Sequence, residues 1–384
     1  MEVWSIHQLV NEAEKQNNLN QESILSLQQN AQKLIKNKVP VIFTLMHLSL
    51  ITNIDYDFLY GTVSRHFDKS NYRMFSIRKR NGKYRFIHAA IKKLHILQDY
   101  INQEILKMVP THPNSYAFKN NCNIVQCAKM HCGCRWLLQF DLKDFFFNIT
   151  ERDIYNVFKS LGYRDILAFE LARICTTTRL PRSYNIPRNK NFNKYKQYEN
   201  SLIGVLPQGA ATSPALSNLV ARQLDEDLQE YAQNIGFVYT RYADDLTFSS
   251  VNLPPSLSIN TIRQQIIKII RKNHFIENKD KIRIAGPGAK KLVLGLLVDG
   301  NNPRLSKEGF KRIEGLLYVI KKFGPQSVAK IKGFNSVYGL MNHLMGLMAY
   351  LKDVDKNKYN KIKPLFIEIK NKYKNSIWKP FLSY

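Results

Sequence analysis

The chain has 384 residues; 44% of them are hydrophobic, and 57 Lys and Arg stand against 30 Asp and Glu. This apolar content excludes an intrinsically disordered chain, and the net charge of +27 favours a polyanionic partner, nucleic acid first, over a generally basic protein without one. No apolar run reaches the roughly 18 residues of a membrane span and the polar start lacks a signal-peptide pattern, so we expect a cytoplasmic protein with no membrane partner.

The first third of the chain predicts helices that flank one hairpin. Residues 1–60 have mainly helical patterns. In residues 72–91, two runs of alternating apolar and polar residues flank Asn81-Gly82, which is a strong signal for a β-hairpin. Apolar residues at helical spacing then predict a helix over about 91–108.

The centre of the chain predicts a buried strand followed by a helix. WLLQFD at 136–141 is apolar and ends in Asp141. Thr150 with Asp153 three residues later is a typical capping pattern, and Gly162 suits the end of the same helix.

The remaining elements mix strands and helices without strict alternation. Ser213 is predicted to cap a helix with Pro214 in its first turn. KLVLGLLVDG at 291–300 predicts one short strand, and KEGFKRIEGLLYVIKKFG at 307–324 predicts an amphipathic helix. The mixture indicates the α+β class.

Four of the five cysteines lie within thirteen residues of one another. They are Cys122, Cys127, Cys132 and Cys134. Structural zinc sites usually have two close pairs separated by a longer loop. A zinc knuckle therefore stays open as an alternative to reduced, metal-free thiols.

Two adjacent carboxylates interrupt the strand-like run RYADDLTFSS at 241–250. Charge buried without a partner is costly, whereas a tight turn at Ala243 would present Asp244 and Asp245 at a hairpin tip. If Asp141 lies nearby, the three carboxylates need a cation between them. Hard oxygen ligands favour Mg²⁺, and two such ions suit phosphoryl transfer. An exposed, inert Asp-Asp turn is the alternative.

Three segments, in chain order, resemble motifs A, B and C of reverse transcriptases. They are FDLKDFFFNI at 140–149, LPQGAATSPALSNL at 206–219 and RYADDLTFS at 241–249. The resemblance covers roughly residues 70–350, and the retron-type bacterial enzymes are the most similar. It implies a right-hand polymerase with an N-terminal helical extension, fingers, palm and thumb. The expected bounds are 1–60, 61–135, 136–300 (with a fingers-side insertion at about 176–205) and 301–384.

The resemblance also implies roles for individual residues. Asp141, Asp244 and Asp245 would be the catalytic carboxylates and would bind two Mg²⁺ ions. Phe146 matches the aromatic steric gate that excludes a ribose 2′-hydroxyl, although packing in an aromatic run is the alternative. The other expected dNTP-binding residues are Lys79, Arg85, Gln208, Gly209 and Lys281, with Lys279 competing with Lys281. The expected nucleic-acid contacts are Lys307, Lys311, Arg312, Lys321 and Lys322, for which an ordinary solvated face is the alternative.

Two motifs depart from the retron pattern. Retron enzymes usually carry N-A-x-x-H before motif A, whereas here Cys127 replaces the Asn and His131 remains. They also carry V-T-G after motif D, in a region implicated in recognising the RNA, and here Leu294 replaces the Thr. The departures indicate a divergent subgroup with its own RNA partner.

The function implied by the resemblance is RNA-directed DNA synthesis from dNTPs in a retron. The enzyme would copy a structured non-coding RNA into msDNA, an RNA–DNA hybrid, in antiphage defence with a separate effector protein. One alternative is another prokaryotic reverse transcriptase, from a defence system or a group II intron. The other is an RNA- or DNA-binding scaffold that restrains an effector.

Overall fold

The computed structural model describes residues 20–79, 82, 84–119, 122–181 and 203–377. Residues 1–19 of the predicted 1–60 extension and 182–202 of the predicted 176–205 insertion thus lie outside the described residues. Helices and short strands mix without regular alternation, which confirms the α+β class. The backbone forms two units. The first takes the described parts of Met1–Asn120, Asp141–Glu230 and Gln264–Lys279, and the second those of Asn121–Phe140, Tyr231–Arg263 and Asp280–Tyr384.

The elements are numbered here in chain order. The α-helices are α1 (Gln21–Lys36), α2 (Leu45–Thr52), α3 (Tyr56–Val63), α4 (Asp68–Asn71), α5 (Lys92–Tyr100), α6 (Ile124–Lys129), α7 (Glu151–Leu161), α8 (Asp165–Ile174), α9 (Ser213–Val220), α10 (Arg222–Asn234), α11 (Ile259–Lys272), α12 (Lys307–Phe323), α13 (Pro325–Ile331), α14 (Val337–Val354) and α15 (Lys356–Ile377). The strands are β1 (Tyr72–Arg78), β2 (Tyr84–Ala90), β3 (Trp136–Asp141), β4 (Val238–Tyr242), β5 (Asp245–Ser250), β6 (Arg283–Ala285), β7 (Leu292–Val293) and β8 (Leu296–Leu297).

Helix α7 begins and ends where its local sequence predicts. The Thr150 backbone N–H donates to the Asp153 carboxylate at 2.8 Å, one half of a complete capping box. Gly162 ends the helix with a positive φ of 108°, a conformation that favours glycine. Ile154 and Phe158, four residues apart, face the core.

Strands β1 and β2 form the predicted antiparallel hairpin. Tyr72 pairs with Ala90 at its base, and Arg78 pairs with Tyr84 near its tip. Gly82 takes a positive φ of 80° in the turn, while Asn81 lies outside the described residues.

A four-stranded sheet has the order β4-β5-β3-β6. Strands β4 and β5 are antiparallel and joined by a tight turn, and β3 is antiparallel to β6. The Arg135 N–H, next to the start of β3, donates to the carbonyl of Ser250 at the end of β5 at 3.0 Å. Strands β3 and β5 therefore also run antiparallel. The C-terminal end of β3 lies at the same end of the sheet as the β4–β5 turn.

The helices α12 to α15 bury a common apolar core. As predicted, α12 turns Phe310, Ile313, Leu317 and Ile320 inward. Leu344 and Met348 of α14 belong to the same cluster. No helix in the described parts of the chain is long and apolar enough to cross a membrane.

Two local predictions need correction. Residues 291–300 do not form one strand: Leu294 and Gly295 both take positive φ, 50° and 84°, and turn the chain between β7 and β8. Positive φ at both positions defines a type I′ hairpin turn. The N-cap of α9 is Thr212 instead of Ser213, whose hydroxyl donates to the carbonyl of Pro207 at 2.7 Å.

Candidate active site

Strand β3 ends in Asp141. The strand is buried because Leu138 and Phe140 pack into the core, and Asp141 itself is only 5% exposed. After Asp141 the backbone leaves the sheet and pairs with the segment behind α11, through a bridge from Leu142 to Glu277. A carboxylate buried to this degree needs compensating interactions.

Asn278 supplies one of those interactions. Its side-chain amide donates to Asp141 Oδ1 at 3.1 Å, and its backbone N–H donates to the Asp141 carbonyl at 2.7 Å. Two contacts from one residue restrict both the backbone and the carboxylate of Asp141. No sequence pattern singles out Asn278, which lies 137 positions away from Asp141 along the chain.

Asp244 and Asp245 lie where strand β4 turns into β5. Tyr242 pairs with Asp245, so Ala243 and Asp244 form a two-residue turn. Ala243 has a positive φ of 57°, as at the first position of a type II′ turn, which glycine usually occupies. Asp244 is half-buried and Asp245 is exposed. The hairpin thus presents adjacent carboxylates, as predicted.

Arg241 stabilises this turn from inside the protein. The side chain is fully buried, and its guanidinium donates to the Ala243 carbonyl at 3.2 Å. A hydrogen bond from a buried, charged donor is strong. Sequence analysis gave Arg241 no role, since one arginine in an alternating strand has no distinguishing signal.

The described residues offer no ready-made metal cage. No group of three or more His, Cys, Asp or Glu side chains among them is arranged to hold a metal ion. Magnesium does not require such a group, because one or two carboxylates often bind it together with water and substrate phosphates. The clustered cysteines are free thiols.

The β1–β2 hairpin carries the two predicted phosphate-binding residues. Both Lys79 and Arg85 are exposed. Arg85 pairs with Ile77, which sets one face of the hairpin, and Lys79 directly follows the last residue of β1. Ile87 belongs to this face by the same parity.

Gln208 and Gly209 lie alongside strand β2. The His88 N–H donates to the Gln208 carbonyl at 2.8 Å. Gly209 has a φ of 121°, and a Cβ there would lie 2.9 Å from the His88 carbonyl oxygen and 3.0 Å from Ile87 Cγ2. Only glycine permits this approach, which places Gly209 next to Ile87, two residues after Arg85 on β2.

The aromatic run after Asp141 divides into a core ring and an accessible one. Phe145 is buried and its ring lies 5.7 Å from that of Phe275. Phe146 is half-buried, with the Phe118 ring 6.2 Å away. The core-packing alternative therefore describes Phe145 better than Phe146.

The remaining predicted binding residues are all at the surface. Lys281 ends a short 3-10 helix, Lys279–Lys281, and both lysines are exposed. On α12, all five predicted basic residues are exposed. Lys321 differs from the others because it donates to the Glu368 carboxylate of α15 at 2.8 Å.

Comparisons with known proteins identify the family of this chain. The family model described as reverse transcriptase (RNA-dependent DNA polymerase) matches residues 77–298. Retron Ec86 reverse transcriptase of Escherichia coli is 27% identical over 304 residues, 79% of this chain and 82% of that protein. Retron Mx65 reverse transcriptase of Myxococcus xanthus is 30% identical over 288 residues, 73% of this chain and 61% of that protein. Retron Ec48 reverse transcriptase of Escherichia coli is 29% identical over 349 residues, 86% and 78% of the two chains.

Solved structures are similar at lower identity. A Candida albicans telomerase in complex with a TWJ fragment of telomeric RNA aligns with a TM-score of 0.41 and 13% identity, over 82% of this chain and 63% of that chain. A foamy viral protease-reverse transcriptase with double-stranded DNA aligns with a TM-score of 0.39 and 15% identity, over 96% and 56%. This chain spans less than two thirds of either solved chain.

The matched family segment contains all three predicted carboxylates and Arg85. These three relatives align over 73% to 86% of this chain, and all three are retron reverse transcriptases. The chain therefore belongs to the reverse transcriptases, the RNA-directed DNA polymerases with a right-hand fold, and within them it is of the retron type.

Proposed function

We propose that this chain is the polymerase of a retron and copies part of a structured RNA into DNA that stays joined to it. The observation that carries the proposal is the antiparallel pairing of β3 and β5. Arg135 at the start of β3 is hydrogen-bonded to Ser250 at the end of β5. Six residues forward from Arg135 is Asp141, and six residues back from Ser250 is Asp244. From this register we expect the carboxylates of motifs A and C to lie near each other, with Asp245 next to Asp244 in the chain.

The three carboxylates fit divalent magnesium by their chemistry. They are hard oxygen donors, and the exposure of Asp245 leaves room for a substrate phosphate. When bound, the metal supplies charge stabilisation and activation of the primer hydroxyl for phosphoryl transfer. The protein's own contribution is to hold Asp141 in place through Asn278 and to fix the hairpin turn through Arg241.

The incoming nucleotide is proposed to lie beside the β1–β2 hairpin, next to the Gln208–Gly209 backbone. Arg85 and Lys79 would bind its phosphates through charge-assisted hydrogen bonds. The missing Cβ at Gly209 lets the Gln208–Gly209 backbone pack against β2, and this backbone would lie under the template–dNTP pair. Lys281 or Lys279 would donate a proton to the departing pyrophosphate.

The exposed face of α12 is proposed to bind the nucleic-acid backbone. Lys307, Lys311 and Lys322 are spaced by four and eleven residues, so they form one stripe along the helix. Arg312 lies to one side of this stripe, and Lys321 forms an ion pair with Glu368. Contacts of this kind are independent of sequence and weaken steeply as salt rises.

Replacing Phe146 by Val should relax sugar selection. Removing the half-buried ring opens the space that a ribose 2′-hydroxyl would occupy, so we expect the preference for dNTP over rNTP to fall about 100-fold. Single-nucleotide incorporation kinetics on an RNA template give the ratio. Phe147→Val is the matched control, because the Phe147 ring packs against the edge of His88 at 5.8 Å. An unchanged ratio in Phe146→Val would assign that ring to packing alone.

Replacing Asn278 by Ala should lower polymerase activity while the fold persists. The change frees one oxygen of Asp141, and loss of such an outer partner typically costs about 10- to 100-fold in metal affinity or activity. Titrating Mg²⁺ in a primer-extension assay measures both. Asn273→Ala is the control, since its amide makes the same kind of bond to the Asp227 carboxylate at 3.0 Å. Equal effects of the two variants would contradict a specific role for Asn278.

The proposed function is tested by the nucleic acid that the chain makes in cells. The gene would be expressed with its native flanking DNA, and nucleic acid copurifying with the protein would be digested with RNase and with DNase. We expect a short DNA joined to RNA. RNase should shorten this joined molecule and leave its DNA part intact. RNA without attached DNA would favour the scaffold alternative. An associated effector, as expected for antiphage defence, would copurify as a second protein.

A further inference from the structure

The segment Cys127–His131, which stands where retron enzymes carry N-A-x-x-H, is buried next to the catalytic hairpin. Cys127, Ala128 and His131 are each at most 1% exposed, whereas Met130 points outward and is 49% exposed. Residues with so little exposed surface are inaccessible to an RNA partner. Their role must come from what they contact inside the protein.

His131 connects both strands of the hairpin. Its Nε2 lies 2.7 Å from Thr240 Oγ1 on β4, and its Nδ1 lies 2.7 Å from Ser249 Oγ on β5. The Cys127 thiol donates to the same Thr240 oxygen at 3.4 Å. One imidazole thus ties two neighbouring strands together through their side chains.

These contacts lie on the face of the hairpin from which Asp245 projects. Thr240 pairs with Thr247, and Tyr242 pairs with Asp245, so alternation places Thr240 and Asp245 on the same face. The electrostatics agree: burial raises the pKa of the Cys127 thiol to about 11, and the nearby charge of Asp245 adds to the rise.

The imidazole is neutral in this position. Burial lowers the pKa of His131 to about 3, and the groups that hydrogen-bond its ring are two uncharged hydroxyls. A neutral imidazole carries one donor and one acceptor, so it donates to one hydroxyl and accepts from the other. The connection therefore persists across neutral pH.

We infer that His131 is a positioning residue for the catalytic carboxylates. By fixing Thr240 to Ser249, it holds the hairpin so that the turn presents Asp244 and Asp245 in one place. The turn needs this support because Ala243 adopts a positive φ, and such strain persists only where surrounding contacts determine it. The inference rests on the proposed roles of Asp244 and Asp245.

The test measures kcat, the KM for dNTP and the Mg²⁺ requirement in Thr240→Val and His131→Asn, with melting temperature alongside. We expect kcat to fall about 10- to 100-fold and the Mg²⁺ requirement to rise, because small displacements of reacting groups cost this much. The KM for dNTP should change by less than about threefold, since its proposed contacts lie elsewhere. His131→Gln, whose amide can replace Nε2 towards Thr240, should recover part of the loss.

Thr62→Val is the matched control for a buried threonine hydroxyl. Thr62 donates to the Phe58 carbonyl at 2.8 Å within α3, a helix with no proposed catalytic or binding residue. It should lower the melting temperature without changing kcat or the Mg²⁺ requirement. If Thr240→Val behaves in the same way, His131 is a structural core residue and the inference is wrong.

Ser249→Ala provides a second variant if the His131 variants fail to fold, because it removes a single hydrogen bond and leaves the ring in place. A wild-type Mg²⁺ requirement in Ser249→Ala would also count against the inference. The proposed function fails differently: in that case Asp244→Asn would itself retain polymerase activity. If Asp244→Asn loses polymerase activity while the Thr240, Ser249 and His131 variants all keep wild-type kinetics, only the role of His131 is rejected.

Discussion

Asp244→Asn should abolish RNA-templated DNA synthesis, with kcat reduced about a thousandfold or more. The substitution keeps the size of the side chain and removes its charge. A neutral amide binds Mg²⁺ far less well than a carboxylate does, so the metal would lose a ligand at the tip of the β4–β5 hairpin. Primer extension on an RNA template with Mg²⁺ measures the loss.

The control for Asp244→Asn is Asp353→Asn, which changes an exposed carboxylate on α14. It should retain wild-type activity and melting temperature. Asp244→Asn should also keep its melting temperature, since its half-buried side chain lies in a turn at the edge of the sheet. Activity above about a tenth of wild type in Asp244→Asn would remove this carboxylate from the proposed chemistry.

Gly209→Ala should damage both stability and nucleotide binding. The φ of 121° is strained for any other residue, and the new Cβ would lie 2.9 Å from the His88 carbonyl, a backbone atom that cannot move alone. We expect unfolding to become easier by about 2 kcal/mol. Strand β2 would shift away from Gln208 and displace Arg85, so the KM for dNTP should rise about tenfold.

The control for Gly209→Ala is Gly236→Ala. Gly236 also has a positive φ, 69°, but no atom lies within 4 Å of a Cβ built there. It should cost about 1 kcal/mol through backbone strain alone and leave the KM for dNTP unchanged. Denaturant unfolding and steady-state kinetics separate the two effects. A Gly209→Ala variant with wild-type KM would show that the close approach to His88 does not position Arg85.

Features set by neighbouring residues were predictable from the sequence. The capping box of Thr150 and Asp153, the glycine end of α7 and the inward face of α12 follow local rules, and the structure confirms them. The order and spacing of three polymerase motifs also identified the family correctly. These features do not depend on distant contacts.

Features set by backbone conformation or by distant partners were not predictable. The apolar run at 291–300 suggested one strand, because nothing in its composition signals that Leu294 adopts a positive φ. The bond from Asn278 to Asp141 joins residues 137 positions apart. The contact of His131 with Ser249 spans 118 positions. A single sequence, read without its fold, does not indicate which of these distant residues are in contact.

The central claim is that Asp141, Asp244 and Asp245 hold the divalent metal of DNA synthesis. Its most direct test is a crystal of the chain with an RNA template, a chain-terminated DNA primer, the next dNTP and Mn²⁺ in place of Mg²⁺. Anomalous scattering then locates the metal independently of the protein model. The account predicts anomalous peaks within ligand distance of the Asp141 and Asp244 carboxylates and of the dNTP phosphates. A bound dNTP whose metal contacts none of the three carboxylates would contradict it.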